Sequence, residues 1–435
     1  MFRGERSRGN LLLWPVFDLD CQSMVAHICD REHKGRDLLA YAEAVSLLGR
    51  DLRPLDRVTE TVPLLQAAGR VLAAALHLDR DEPPVARSAM DGYAVRSLDA
   101  SETRRLVGSV YAGTAELPQL GPGDAAEVMT GGSIPPGADA VVPVELAHQE
   151  AGSLRLMETP IAGQHVRQAG EMGRRGRVVL EPGRRLRHGD LGIAAAVGAE
   201  VLLLRPRPRV TVISTGDEVV PWQTTPAPHQ VRDSNRVSAV LRLQDLGAEI
   251  VRQVHLPDEV KPLEHGLRTA LHDSDLVVTI GGVSMGKKDF LPGILAGLGV
   301  VDVLHGVAIQ PGKPVWIGRR DQTWVLGLPG NPVSSFVILE LFGRRMVQAM
   351  LGESGGMSQP SLLPGTLGRA LRSRARALWL PSRLLPQTEG LPRLDPLPWM
   401  GSGDWTCLAD AQALVHLAPD TALAAEAPIQ YLPLN

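Results

Sequence analysis

The chain has 435 residues, 44% of them hydrophobic and 21% charged, with 45 Lys plus Arg against 48 Asp plus Glu for a formal charge of -3. That length predicts roughly three domains at about 150 residues each, and so even a charge balance excludes a global pull toward nucleic acid or an anionic membrane, so any anion site must be local. No apolar run approaches the ~20 residues of a membrane span, and three cysteines in so long a chain point to a reducing cytoplasm and not to a disulfide framework.

Residues 1–37 mix charged and apolar side chains without a sustained period and read as a poorly ordered leader. Cys21, His27, Cys29 and His33 fall within it, but their spacing lacks the paired ligands of a zinc site, so no metal is expected there. Residues 41–48 read as a helix. Residues 61–76 read as a second one, because Leu64, Leu65, Ala68, Val71 and Leu72 recur at spacings of three and four and make one apolar face. Pro83-Pro84 ends it. From 84 to about 160 short apolar stretches broken by Gly and Pro predict an inserted β-rich module, and a β-like stretch follows over 166–204. Arg205-Pro-Arg-Pro-Arg209 is the clearest linker, since its prolines deny helix and its arginines keep it solvated.

Beyond it strands and helices alternate, the rhythm of a parallel sheet. Strands are expected at 210–214, 249–255, 276–280, 315–318 and 324–328, with helices at 234–246, closed by Gly247, at 259–271 and at 332–351. The Pro- and Leu-rich end, with β-like pieces at 413–417 and 429–432, fits a small β-barrel. The expected fold is α/β and multidomain: a leader at 1–37, an N-terminal helical and β region at 38–206 carrying the inserted module, a doubly wound, mostly parallel sheet domain at 207–352, and a β-barrel at 353–435.

Polar motifs punctuate this order: Ser88-Ala-Met-Asp-Gly-Tyr93, Met129-Thr-Gly-Gly132, Ser214-Thr-Gly-Asp-Glu218, Gly281-Gly-Val-Ser-Met-Gly-Lys-Lys-Asp289 and Leu328-Pro-Gly-Asn-Pro332. Each sets glycines, which let backbone N–H groups turn toward an anion, beside hydroxyls or carboxylates suited to phosphate and hard cations. Ligands of open parallel sheets sit beyond the carboxyl ends of the strands, where the 214–218 and 281–289 motifs fall. Taken singly, each reads equally well as a tight turn with Asp217 or Asp289 as a helix N-cap. Converging at one edge, they predict a phosphate and Mg²⁺ site. Asp217, Glu218 and Asp289 are its oxygen ligands; Gly281, Gly282, Ser284, Lys287 and Lys313, the last in Gln310-Pro-Gly-Lys-Pro314, hold an oxyanion. Asp91, Thr130 and Asp139 offer polar heads on the earlier module, useful only if another domain or subunit brings them to the sheet edge.

With these motifs in this order, the chain resembles the molybdopterin molybdenumtransferase family, relatives of the C-terminal region of gephyrin, from about residue 41 onward. The resemblance implies a cytoplasmic homodimer that uses adenylylated molybdopterin and molybdate to make molybdenum cofactor and AMP, with Mg²⁺ assisting hydrolysis of the adenylyl phosphate. It also allows contacts with other proteins of molybdenum cofactor biosynthesis. Carried over by position, it implies functional roles for Glu218, Asp258 and Asp289, for Pro329 and Pro332, and for Ser402 of the barrel. Asp91 and Thr130 would face the partner subunit's sheet domain. One departure stands out: Gly170-Glu171-Met172 puts a thioether where the family usually carries a carboxylate, for which Glu171 is the nearest substitute. Two other readings follow, a pterin-binding scaffold with weakened catalysis and the preceding adenylylation of molybdopterin; the extra domains and the Met-Asp-Gly-Tyr segment argue against the second.

Overall fold

The computed structural model describes residues 38–150, 152–282, 291–356 and 362–434. The leader with its Cys21, His27, Cys29 and His33 lies outside them. Among the described residues no helix is long and apolar enough to cross a membrane.

The central sheet runs in the order Glu249–Leu256, Arg209–Thr215, Leu276–Ile280, Thr323–Leu328, Trp316–Arg320, Val301–His305. Its first four strands are parallel and its last two antiparallel. Leu276–Ile280 is buried at every position, as a strand covered on both faces must be. One face packs against Ser234–Asp245 through Ala239, Val240 and Leu243; the other meets Val260–Asp273 through Leu263 and Leu267. The sheet is therefore doubly wound, as the alternation predicts. The strand Val301–His305 and the helix Leu291–Gly297 are additions, both too short or too polar to read from periodicity.

The long terminal helix differs from the expected single rod. It runs Pro332–Ile338, widens into a π-turn at Leu339–Gly343, and resumes as Arg344–Met350. Within the π-turn, Glu340 is 2% exposed and takes two bonds from Arg242 of the neighbouring helix, at 2.6 and 2.9 Å. This bidentate pair fixes the two helices that begin at the sheet's carboxyl edge.

The N-terminal region corrects two expectations. Residues 61–76 are not a helix: Glu60–Pro63 is a strand, Leu64–Gln66 a single 3-10 turn, and Gly69 takes φ +73°. Leu65 is 91% exposed, while Val71 and Leu72 enter different cores, so no common helical face exists. The backbone bonds are met instead by returning chain, with Leu72 N–H on Arg184 O and Ala73 N–H on Leu203 O. The stretch 166–204 is likewise not all β, since His188–Ala196 is a helix between short strands. Together the two segments form a stem of three successive antiparallel ladders: Glu60–Pro63 with Val201–Leu204, Leu76–His77 with Val178–Leu180, and Arg87–Ser88 with Val166–Arg167. A six-stranded sheet spanning 92–156 sits at its end.

The C-terminal strands close into a five-stranded barrel, because Ala377–Leu385 pairs with both Arg393–Pro396 and Ala413–Leu417. Ile309–Gln310, from the sheet region, adds parallel to Ala377–Leu378. Trp379, Leu414 and Leu432 of the barrel share the apolar cluster of the central sheet and of the Tyr41–Asp51 helix.

Replacing Arg242 by Met leaves buried Glu340 with Arg344, 3.9 Å away, as its one charged partner among the described residues. Loss of a buried pair's partner costs about 3–5 kcal/mol, so urea unfolding of this variant is expected at a clearly lower midpoint. A midpoint equal to wild type would show that the pair does not hold the helices.

Candidate active site

Parallel strands deliver all their carboxyl ends to one edge, and the loops leaving that edge are packed unusually close. After Thr215 the chain turns through Gly216, at φ +127°, and the Glu218 carboxylate folds over it; a Cβ there would lie 2.8–3.0 Å from Glu218 oxygens. After Ile280 it turns through Gly281, whose added Cβ would lie 3.1 Å from Thr215 Oγ1. A side chain at Gly281 would push the two turns apart, and one at Gly216 would displace the Glu218 carboxylate of its own turn. Gly281 N–H donates to Leu328 O at 3.0 Å, which joins the third loop to the second. The Gly281 amide is thus spent within the protein, and its role is close approach.

The remaining loops lock onto this pair. Asp258, two residues past Glu249–Leu256, donates its N–H to Asp217 Oδ1 at 3.1 Å. Asn235 Nδ2 donates to Gly330 O at 2.7 Å, and Asn331 Nδ2 donates to Ser402 Oγ at 2.9 Å. Ser402 O in turn accepts from Val333 N–H at 3.0 Å. Lys313 precedes Trp316–Arg320, whose first residue pairs with Gly327, so its loop reaches the same edge. That loop packs Gly312 against Ile338.

The structure therefore collects Asp217, Glu218, Asp258, Gly281, Gly282, Lys313, Pro329, Pro332 and Ser402 at one edge. Ser284, Lys287 and Asp289 lie outside the described residues. Beside the edge is a cavity of about 330 Å³ lined by Ser234, Asn235, Pro332, Ser335, Phe336 and Trp405 among others.

Asp91 and Thr130 belong to another surface. Their two motifs form one unit, with Ser88 N–H on Gly132 O at 2.8 Å and Gly131 N–H on Ser88 O at 2.9 Å. Asp91 Oδ1 accepts from Thr130 N–H at 2.6 Å and from its hydroxyl at 2.7 Å. These bonds, the backbone one first, hold the Asp91 carboxyl below its usual range. No described hydrogen bond links them to the sheet edge of the same chain. Gly92 in this motif is a packing requirement: a Cβ there would lie 2.1 Å from Val142 O. Asp139 is committed to Ser97, accepting from its N–H at 2.7 Å and its hydroxyl at 2.6 Å. Glu171 caps its own turn, accepting from Gln168 N–H at 2.8 Å, whereas Met172 is 61% exposed.

Asn235, Asn331 and the Ser214–Asp233–His255 group, in which Ser214 and Asp233 are buried and His255 is partly exposed, were not among the candidates. The only sequence signal was Asp233-Ser-Asn235 ahead of an apolar run, an N-cap pattern; side-chain bridges across 95 and 71 positions leave no local trace.

Asp217 and Glu218 are exposed neighbouring carboxylates, the donor type Mg²⁺ takes when substrate phosphates complete its shell. Among the described residues no three His, Cys, Asp or Glu side chains form a ready-made metal cage. The pair fits a cation shared with a phosphorylated substrate.

The family description "MoeA N-terminal region (domain I and II)" matches residues 39–198, and "Probable molybdopterin binding domain" matches 211–349. The molybdopterin molybdenumtransferase of Synechococcus elongatus is 39% identical, over 82% of this chain and 91% of that one. That of Haemophilus influenzae is 36% identical, over 70% and 75%. A solved molybdopterin biosynthesis MoeA protein from Pyrococcus horikoshii superposes with TM-score 0.77 at 25% identity, covering 91% of this chain and 99% of that one.

Replacing Thr130 by Val removes one of the two donors to Asp91. A carboxyl titration followed by NMR is expected to show Asp91 moving part of the way back up toward the ordinary value of about 3.9. No movement would mean that the hydroxyl does not stabilise the carboxylate.

Proposed function

Because the chain belongs to the molybdopterin molybdenumtransferase family, transferases of molybdenum cofactor biosynthesis, we propose that it inserts molybdenum from molybdate into adenylylated molybdopterin with release of AMP. The observation that carries this reading is the meeting of Asp217, Glu218 and Asp258 with the 281–282 and 328–332 turns at one sheet edge. A phosphorylated pterin nucleotide needs both kinds of group, backbone that approaches phosphate closely and carboxylates that hold a cation.

Asp217 and Glu218 would hold Mg²⁺, which when bound neutralises charge on the substrate phosphates. Gly281 and Gly282 pack the 281–282 turn against Thr215 and Leu291 and so hold it tight at the edge where the phosphate would sit. Lys313 offers a fixed positive charge for an oxyanion, whether phosphate or molybdate. Pro329 and Pro332 stiffen the loop whose Gly330 and Asn331 are already bonded to Asn235 and Ser402, so the loop is ordered before substrate arrives. Ser284, Lys287 and Asp289 remain part of the proposed site by position in the motif.

Asp91 and Thr130 complete the site from the partner of a homodimer in this reading, which explains why their own chain leaves them apart from its sheet edge. The working units are 38–206 with the module at about 84–160, 207–352 and 353–435, and the location is the cytoplasm. Exposed Met172, beside a Glu171 whose carboxylate accepts from Gln168 N–H, favours one alternative, a scaffold that binds the pterin nucleotide and turns it over slowly.

Purified protein mixed with adenylylated molybdopterin, molybdate and Mg²⁺ is expected to release AMP, and chelation of Mg²⁺ to stop it. Glu218→Gln is expected to lower the rate by about 100-fold, the usual effect of losing one electrostatic stabiliser, with an unchanged sedimentation coefficient. Unaltered release by that variant would refute the role of Glu218. Binding without release by the wild type would establish the scaffold.

A further inference from the structure

Ser214 Oγ lies 2.6 Å from Asp233 Oδ2 and 3.2 Å from His255 Nδ1. Asp233 is 3% exposed and caps the Ser234–Asp245 helix, its Oδ1 accepting from Arg236 N–H at 3.3 Å. Its Oδ2 is also ion-paired with Arg236 Nε at 2.6 Å. Such a carboxylate accepts and has no proton to give. A serine hydroxyl has one proton, and the short bond to the ionised partner claims it. Toward His255 the Ser214 oxygen can then only accept. The contact is satisfied when Nδ1 bears a hydrogen, which leaves the lone pair of the neutral ring on Nε2.

His255 stands opposite Ser214 in the ladder, one residue before the end of its strand. Val254 and Leu256 face the cluster around the Val260–Asp273 helix, so the ring points to the other face. The charged groups there are Asp233 and Arg236; Asp217, Glu218 and Asp258 lie just past the strand ends. The ring is partly exposed, and Nε2 makes no hydrogen bond among the described residues.

We propose that His255 is a proton acceptor of this edge, held as the Nδ1–H tautomer by Ser214 and Asp233, and that its Nε2 takes the proton of the water attacking the adenylyl phosphorus. The inference rests on the AMP-releasing reaction proposed above. In that step the water oxygen bonds to phosphorus and the anhydride P–O bond breaks. The bonding pair departs with the pterin phosphate, and the water proton moves to Nε2. Ser214 and Asp233 are positioning residues that act through the ring.

The first test needs no substrate. Long-range ¹H–¹⁵N spectra of histidine-labelled protein, with His255 assigned by its loss in His255→Gln, should show a protonated Nδ1 and a pyridine-type Nε2 in the neutral ring. Ser214→Ala should return the ring to a mixture of tautomers. In AMP release, His255→Gln should lose about 100-fold in kcat, the scale of general-base assistance, with KM changed less than about threefold and the acidic limb of the pH–rate profile gone. Ser214→Ala should keep the limb at a smaller loss in kcat. His255→Phe, checked with His255→Gln for an unchanged thermal midpoint, separates lost chemistry from lost fold. A proton on Nε2 in the wild type, or a His255→Gln enzyme with the wild-type rate and limb, overturns the proposal. If the wild type releases no AMP at all, the hydrolytic reading and this role fall together; release that is indifferent to His255 removes only the role.

Discussion

The site depends on the Arg209–Thr215 strand being paired in parallel on both sides. Ser214 stands level with His255 on one neighbour and with Ile280 on the other, so the chains leave these three strands at the same height. Backbone that has just left a sheet must find new partners for its polar groups. Here the loops satisfy one another, through Gly281 on Leu328, Asp258 on Asp217 and Asn235 on Gly330. Asp217, whose Oδ1 accepts the Asp258 N–H, is thereby held on a scaffold that is already hydrogen-bonded.

The stem has the opposite character. Its three ladders are only two to four residues long on each strand, and they pair chain from either side of the inserted module. The module's Asp91–Thr130 unit is internally satisfied and exposed, and is carried away from the sheet by the stem. The proposed homodimer would bring together the polar motifs that one chain divides between these two bodies.

Where the text of the chain could be read, it was read by periodicity. Leu276–Ile280 has the expected bounds because five consecutive apolar or β-branched residues admit little else in a sheet protein, and so does Ala413–Leu417, an apolar run broken only by His416. Ser234–Asp245 announced itself through Gly247 after it, and the structure adds Asp233 as its N-cap. The failure at 61–76 is equally instructive. Its spacings of three and four suit a helix, yet Val71 and Leu72 serve two cores on opposite sides of an irregular strand-like run. Periodicity records which residues are apolar, and only the returning strand at 201–204 shows which core each one enters. The partner of buried Glu340 was hidden for the same reason, since Arg242 lies 98 positions away.

What the sequence by itself determined is local: the alternation that makes a doubly wound sheet, the glycine turns that end its strands, the motif order that marks the family, and the oxygen-rich chemistry suited to phosphate and Mg²⁺. Each of these is set by side chains a few positions apart, whose conformational limits act before any long-range contact forms. Only the tertiary structure decided which of these loops bond to one another, that Gly281 spends its amide inside the fold, and that Ser214, Asp233 and His255 touch. Those contacts join residues tens to hundreds of positions apart, and they exist because strand pairing and apolar burial bring distant segments to the same place.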